Sequence, residues 1–205
     1  MKIIVIDARD SFVHVLADYV ARENHTDVEI LRPDRVGVEA AIAMVKSPEV
    51  DCVVLGPGPG HPRDSCHVPI ARAVMGEKPI LGVCLGHQVL GLLTGGSIKL
   101  LSEPKHACVS PINHSCSGIF EGIPQRAQVA RYHSLVVESL PGANVGYEVI
   151  ATSEDDNVIM GIDLRNGSYG VQFHAESHGS PSGRNITTNF VRLASDFINH
   201  KKIAS

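Results

Sequence analysis

The chain has 205 residues, 43% of them hydrophobic, which is enough to bury one proper core without disulfide or metal staples. A formal net charge of −4, a pI near 6.2, few aromatics and no tryptophan exclude the basic surface and stacking platforms of a nucleic-acid binder. Five cysteines with no C-x-x-C pair, no signal-peptide pattern after Met1, and no run near the roughly 18 apolar residues of a membrane span predict a reducing, cytoplasmic setting away from membranes.

Lys2 to Ile6 is short, apolar and β-branched, the pattern of a buried strand. Asp10-Ser11 can cap a helix whose apolar positions Phe12, Val15, Leu16, Tyr19 and Val20 recur at helical spacing. Val28 to Leu31 is a second strand ended by Pro33, Val38 to Val45 a short helix, and Val50 to Leu55 a third strand. A stiff loop, Gly56-Pro57-Gly58-Pro59-Gly60, precedes a helix over His67 to Met75. Pro79 to Val83 is the strand that feeds Cys84, and His87 to Leu93 is helical. This alternation predicts an α/β fold: an open, mostly parallel central sheet with helices on both faces. The second half reads as short strands, Cys108 to Ile112, Gln128 to Arg131, Ser134 to Glu138, Tyr147 to Thr152, Val158 to Asp163 and Tyr169 to Gln172. Helical spacing returns at Ile186 to Ile198. A smaller antiparallel or mixed sheet is therefore expected beside the parallel one. With no linker, repeat or low-complexity segment, residues 1–205 are expected to form a single domain.

Cys84 sits in Gly82-Val83-Cys84-Leu85-Gly86, between an apolar strand and a helical pattern. Small residues two before and two after a nucleophile allow the sharp strand-to-helix turn of a nucleophile elbow, here with sulfur. The helix N-terminus would offer the sulfur free N–H groups and the positive end of a dipole. A buried structural cysteine is the competing reading, so partners must be found. In a parallel sheet, loops after the strands share one edge, so Gly56–Gly60 is expected beside Cys84, its backbone donors held stiff by the prolines. Lacking a following Lys-Ser or Lys-Thr, it is not a phosphate loop. The strand Tyr169 to Phe173 delivers His174 and Glu176, two apart and so on one side. Glu176 can accept from His174 Nδ1–H and leave Nε2 to face a thiol. Gln88, one turn into the elbow helix, and the backbone of His133-Ser134-Leu135 are substrate-contact candidates that also read as ordinary structure. No His/Cys cluster has zinc-ligand spacing.

Gly82-Val83-Cys84-Leu85-Gly86-His87-Gln88, Gly56-Pro57-Gly58-Pro59-Gly60, Arg131-Tyr132-His133-Ser134-Leu135 and Phe173-His174-Ala175-Glu176-Ser177 together resemble the class I (triad) glutamine amidotransferases. The similarity is greatest to the small glutaminase subunits of anthranilate synthase and aminodeoxychorismate synthase, and it runs in order from Asp10-Ser11-Phe12 to the last helix. The resemblance implies the family's flavodoxin-like fold and hydrolysis of L-glutamine. Cys84 would attack the side-chain amide, with Gly58 and Leu85 N–H groups forming the oxyanion hole. His174 would pass the thiol proton to departing ammonia, and Glu176 would orient His174. A γ-glutamyl thioester would then be hydrolysed to glutamate. Gly58, Pro59, Gly60, Gln88, Ser134 and Leu135 would contact glutamine. No cofactor and no metal are implied, and ammonia would pass to a chorismate-binding synthase subunit in a heteromer.

Four segments depart from the family pattern. His174-Ala175-Glu176-Ser177 has Ala where His-Pro-Glu-Ser is usual, which predicts a looser local backbone. Ala8-Arg9-Asp10-Ser11-Phe12 stands for Asn-Tyr-Asp-Ser-Phe, and Pro104-Lys105-His106-Ala107-Cys108 for a Met-His-Gly-Lys region. His178 to Gly183 is also unusual. These loops are expected to flank the partner surface and bear on partner identity rather than chemistry. The alternatives are an amidotransferase or γ-glutamyl hydrolase for another acceptor, and a non-catalytic regulatory protein on the same fold.

Overall fold

The computed structural model describes residues 1–21, 26–139 and 144–204. The elements in chain order are β1 (Lys2–Ile6), α1 (Val13–Ala21), β2 (Asp27–Leu31), α2 (Pro33–Val36), α3 (Val38–Lys46), β3 (Cys52–Leu55), α4 (His67–Val74), β4 (Ile80–Val83) and α5 (Leu85–Leu93). They continue with β5 (Ser97–His114), β6 (Ala127–Glu138), β7 (Glu148–Ser153), β8 (Ile159–Asp163), β9 (Tyr169–Val171) and α6 (Gly183–Ala204).

The nine strands of the described residues form one sheet in the order β2-β1-β3-β4-β9-β8-β7-β5-β6. The first five are parallel and the remainder antiparallel. The antiparallel part expected as a smaller sheet is thus continuous with the parallel one: β9 pairs parallel with β4 on one side and antiparallel with β8 on the other.

Strand alternation sends neighbouring side chains to opposite faces, and two cores follow. Ile3 and Val5 of β1 pack with Val13, Leu16 and Val20 of α1 and with Phe190 of α6. Ile4 and Ile6 pack with Ala41 and Val45 of α3, Ile70 of α4 and Val89 of α5. Burial of both faces explains why β3 and β4 read as unbroken apolar runs.

Three local expectations change. In α1 the inward residues are Val13, Leu16, Ala17 and Val20, whereas Phe12 precedes the helix and Phe12 and Val15 are 47% and 38% exposed. Cys108 to Ile112 is only the middle of the 18-residue β5, whose first half is largely exposed and so lacks an apolar alternation. Gln128–Arg131 and Ser134–Glu138 are one strand, β6. Among the described residues, no helix is long and apolar enough to cross a membrane.

Candidate active site

Because β1, β3, β4 and β9 run parallel, their C-terminal ends open on one edge. That edge collects the loop after Ile6, the Gly56–Gly60 loop, Cys84 and the segment from Gln172 to Glu176. Cys84 has φ 51° and ψ −99°, a left-handed conformation that costs a non-glycine residue energy and is held here by its surroundings. Its N–H donates to the Val171 carbonyl at 2.9 Å, and its own carbonyl accepts from Gln88 N–H at 3.1 Å. The flanking glycines are required by close approach. A Cβ on Gly82 would lie 2.5 Å from the Gly86 carbonyl carbon, and one on Gly86 would lie 2.3 Å from the Leu55 carbonyl oxygen. The elbow therefore exists because α5 presses directly onto β3 and β4.

His174 and Glu176 are both buried, with Nδ1 2.6 Å from Oε1. Burial opposes charge on the ring, but its hydrogen bonds to Cys84 and Glu176, with their charge attraction, outweigh it and raise His174 to about 10. The His174–Glu176 pair is thus formed, with Cys84 acting on the same imidazole. The backbone at His174 is pinned without a proline at 175: its N–H donates to the Ala130 carbonyl at 3.0 Å, and its carbonyl accepts from Ser180 Oγ at 2.7 Å. Ser180 also takes the Ala130 N–H at 2.9 Å. Tyr132 packs edge-on against the His174 ring, with centroids 5.2 Å apart. Asp10, from the loop after β1, places a carboxylate oxygen within 4.8 Å of donor atoms on His174 and Glu176.

Cys84 opens into a cavity of about 170 Å³ lined by Gly58, Pro59, Gly60, Gln88, Tyr132, His133, Ser134 and Leu135. Every residue expected to contact substrate is on this wall. His133, a candidate together with Ser134 and Leu135, lies there too; Tyr132 completes the wall, and only its neighbourhood to His133 could have flagged it. The volume lies below the roughly 300–1,000 Å³ of drug-sized sites and suits a small polar ligand. Gly58 packs against Leu85: a Cβ at Gly58 would be 3.2 Å from Leu85 Cδ2 and 2.6 Å from Ala8 Cβ. Leu85 opens α5, so its N–H has no partner within the helix. Gly60 has φ +96°, which selects glycine. His67 Nε2 donates to the Gly56 carbonyl at 2.8 Å and ties the loop to α4.

Behind the cavity wall lies a polar group that the sequence did not announce. Arg131 is fully buried, bonded to Asp156 through both terminal nitrogens (3.2 and 2.9 Å), to Ser110 and Ser153, and through Nε to His133 Nε2 at 3.1 Å. A larger, more apolar hollow at the other edge of the sheet, lined by Val50, Lys78 and Phe197, has no cysteine, serine or histidine on its wall. Of the three lysines on its wall, Lys78 donates to the carbonyls of Val45, Ser47 and Val50, and Lys201 to the Glu77 carbonyl.

The Glutamine amidotransferase class-I family model matches residues 4–194. The chain is 37% identical over 203 residues to anthranilate synthase component 2 of Halobacterium salinarum, covering 95% of this chain and 98% of the relative. It is 38% identical over 197 residues to aminodeoxychorismate synthase of Streptomyces griseus, covering 93% of this chain and 26% of the relative. The chain spans 26% to 32% of the longer curated relatives it matches. A solved structure from Thermoplasma acidophilum, named for GMP synthase, superposes with a TM-score of 0.82 at 22% identity, covers 98% of both chains and supports the fold alone. An elbow, its two pressed glycines and a match over nearly the whole length lead to one conclusion: the chain belongs to the class I glutamine amidotransferase family.

Proposed function

We propose that this chain is a glutaminase subunit that hydrolyses L-glutamine and hands the ammonia to a chorismate-using synthase subunit in a heteromer. The observation that carries it is the strained Cys84 at the mouth of a small polar cavity, with the buried His174–Glu176 pair alongside. In this reading the Cys84 thiol loses its proton to His174 and its sulfur attacks the glutamine δ-carbonyl. The N–H groups of Gly58 and Leu85 hold the oxyanion, a contact of the kind whose loss typically costs on the order of a hundredfold or more in rate. His174 returns the proton to the leaving nitrogen, which departs as ammonia and leaves a γ-glutamyl thioester. Water, deprotonated by His174, attacks the thioester, and the proton goes back to the sulfur as glutamate is released. Pro59, Gly60, Gln88, Ser134 and Leu135 hold the rest of the substrate. The 205 residues work as one unit in the cytoplasm, where thiols such as the five free cysteines persist.

The relatives that match end to end are named anthranilate synthase component 2, which favours that partner. Aminodeoxychorismate synthase relatives match at equal identity and support the second reading. The glutaminase cavity meets only glutamine, so the aromatic product leaves no mark on it. The test is to copurify the chain with its synthase, identify the product formed from chorismate, and repeat with Cys84→Ser. Glutamine-dependent synthesis should vanish while ammonia-dependent synthesis persists. Retention of glutamine-dependent synthesis would remove Cys84 as nucleophile.

A further inference from the structure

Gln172 follows β9, is fully buried and lines no part of the cavity, yet its side chain ends beside the nucleophile. Its Nε2 lies 3.8 Å from Cys84 Sγ, and its Oε1 accepts from Gln88 Nε2 at 3.2 Å. Gln88 Nε2 also donates to the Leu135 carbonyl at 2.7 Å. That carbonyl can only accept, so Gln88 must turn its NH₂ group inward. The atom of Gln172 that meets this NH₂ must therefore be its oxygen, and its own NH₂ is left facing the sulfur. The Leu135 carbonyl is itself fixed from behind. Arg131 Nε can only donate, so His133 Nε2 is bare and its proton is on Nδ1, 3.2 Å from the Leu135 oxygen. Two donor runs thus meet on the Leu135 oxygen, one from Arg131 through His133 and one from Gln88, whose other N–H leads through Gln172 to Cys84.

We propose that Gln172 is a further catalytic residue, whose amide N–H donates to the Cys84 sulfur and stabilises negative charge there. This rests on the reading of Cys84 as nucleophile. The charge appears when His174 takes the thiol proton, and again when the thioester breaks and sulfur departs. A donor to an ionised group stabilises it. Its loss lowers the reactive fraction of sulfur, and part of that loss is offset by the greater intrinsic nucleophilicity of a more basic thiolate.

The test is the rate of Cys84 alkylation by iodoacetamide at pH 7, read by mass spectrometry of the Cys84 peptide, beside kcat and KM for glutamine in the complex. Gln172→Met should slow alkylation and kcat by about fivefold with KM little changed. Gln172→Glu keeps the bond to Gln88 but turns an acceptor toward sulfur, and should slow alkylation more than Gln172→Met. It serves as the test where the methionine variant does not fold. Unchanged alkylation in the folded variants overturns the proposal. Cys84→Ser separates the two readings: if it abolishes turnover while the Gln172 variants react like the parent, only the role of Gln172 falls.

Discussion

Glu176 gives one buried carboxylate oxygen to His174 Nδ1 at 2.6 Å, while the other, Oε2, has no hydrogen-bond partner among the described residues. The carboxylate is therefore committed to the imidazole alone. An unpartnered buried oxygen is costly, and pairing of its carboxylate with the imidazole offsets that cost only in part. In the proposed mechanism the carboxylate's charge favours the imidazolium formed when Cys84 loses its proton.

Glu176→Gln should keep the shape but remove that charge. We expect kcat for glutamine to fall by about a hundredfold or more, by analogy with the loss of the orienting carboxylate in other triads, while ammonia-dependent synthesis by the complex is retained. Equal loss of both activities would show a folding defect instead.

Stability against pH should be dome-shaped, and the sign follows from the histidines. His174 is raised from 6.5 to about 10, so folding takes up its proton. Its contribution is fully present below about pH 6.5 and is lost as pH rises through about 10. His67, His87 and His133 are pushed down from 6.5 to about 4, about 3 and about 4 by burial, with Arg131 adding to the effect at His133. The unfolded chain binds more protons at those sites, so their contribution is lost as pH falls from about 6.5 toward 3. Urea midpoints should peak near pH 6.5. Glu176→Gln should flatten the alkaline limb and His67→Gln the acid limb. Limbs unaffected by either variant would disprove these assignments.

The elbow was legible because its determinants are local: five residues carry both the turn and the glycines that α5 and the neighbouring strands require. His174 and Glu176 were legible as a pair from their spacing, although β9 ends at Val171 and the two lie beyond it, His174 bridged to Ala130 and Glu176 in the turn that follows. Gln172, Arg131, Asp156 and Ser180 were not, because their roles depend on partners far away in sequence; Gln172 meets Cys84 across 88 residues. Phe12 and Val15 show the limit of apolar spacing. Both fit a helical stripe, yet the stripe that faces the core is the one through Val13 and Leu16. That the sheet is single was also hidden, since nothing in the residues of Tyr169–Val171 says that one strand will pair parallel on one edge and antiparallel on the other.

Gly86→Ala should be damaging in two measurable ways. The new methyl would need to sit 2.3 Å from the Leu55 carbonyl oxygen, and both sides of that contact are buried backbone that cannot rotate away. We expect a loss of about 1–3 kcal/mol in urea unfolding, the usual range for overpacking. Glutamine turnover should fall by more than tenfold, because relief of the clash moves α5 and with it Cys84. Gly76→Ala has open space around it and meets only the strain of φ +83°, so turnover should be unchanged there.

Two ion pairs of equal length allow burial to be isolated as the deciding variable. Arg131–Asp156 and Arg165–Glu148 are both 2.9 Å, but the Arg131 side chain is 0% exposed and the Arg165 side chain 73%. Glu148→Gln should change stability by less than about 0.5 kcal/mol, because water and salt already screen that pair. Asp156→Asn should cost about 3 kcal/mol, because a fully buried guanidinium is left without its anion. Lys105, 3.9 Å from Asp156, is itself a cation and cannot substitute. Since Arg131 also orients His133 against the Leu135 carbonyl, the same variant should raise KM for glutamine severalfold. Urea midpoints at constant slope, with KM for both variants, decide the matter. Similar costs for the two substitutions would mean that Arg131 reaches water in solution and that the polar group behind the cavity wall is not fixed.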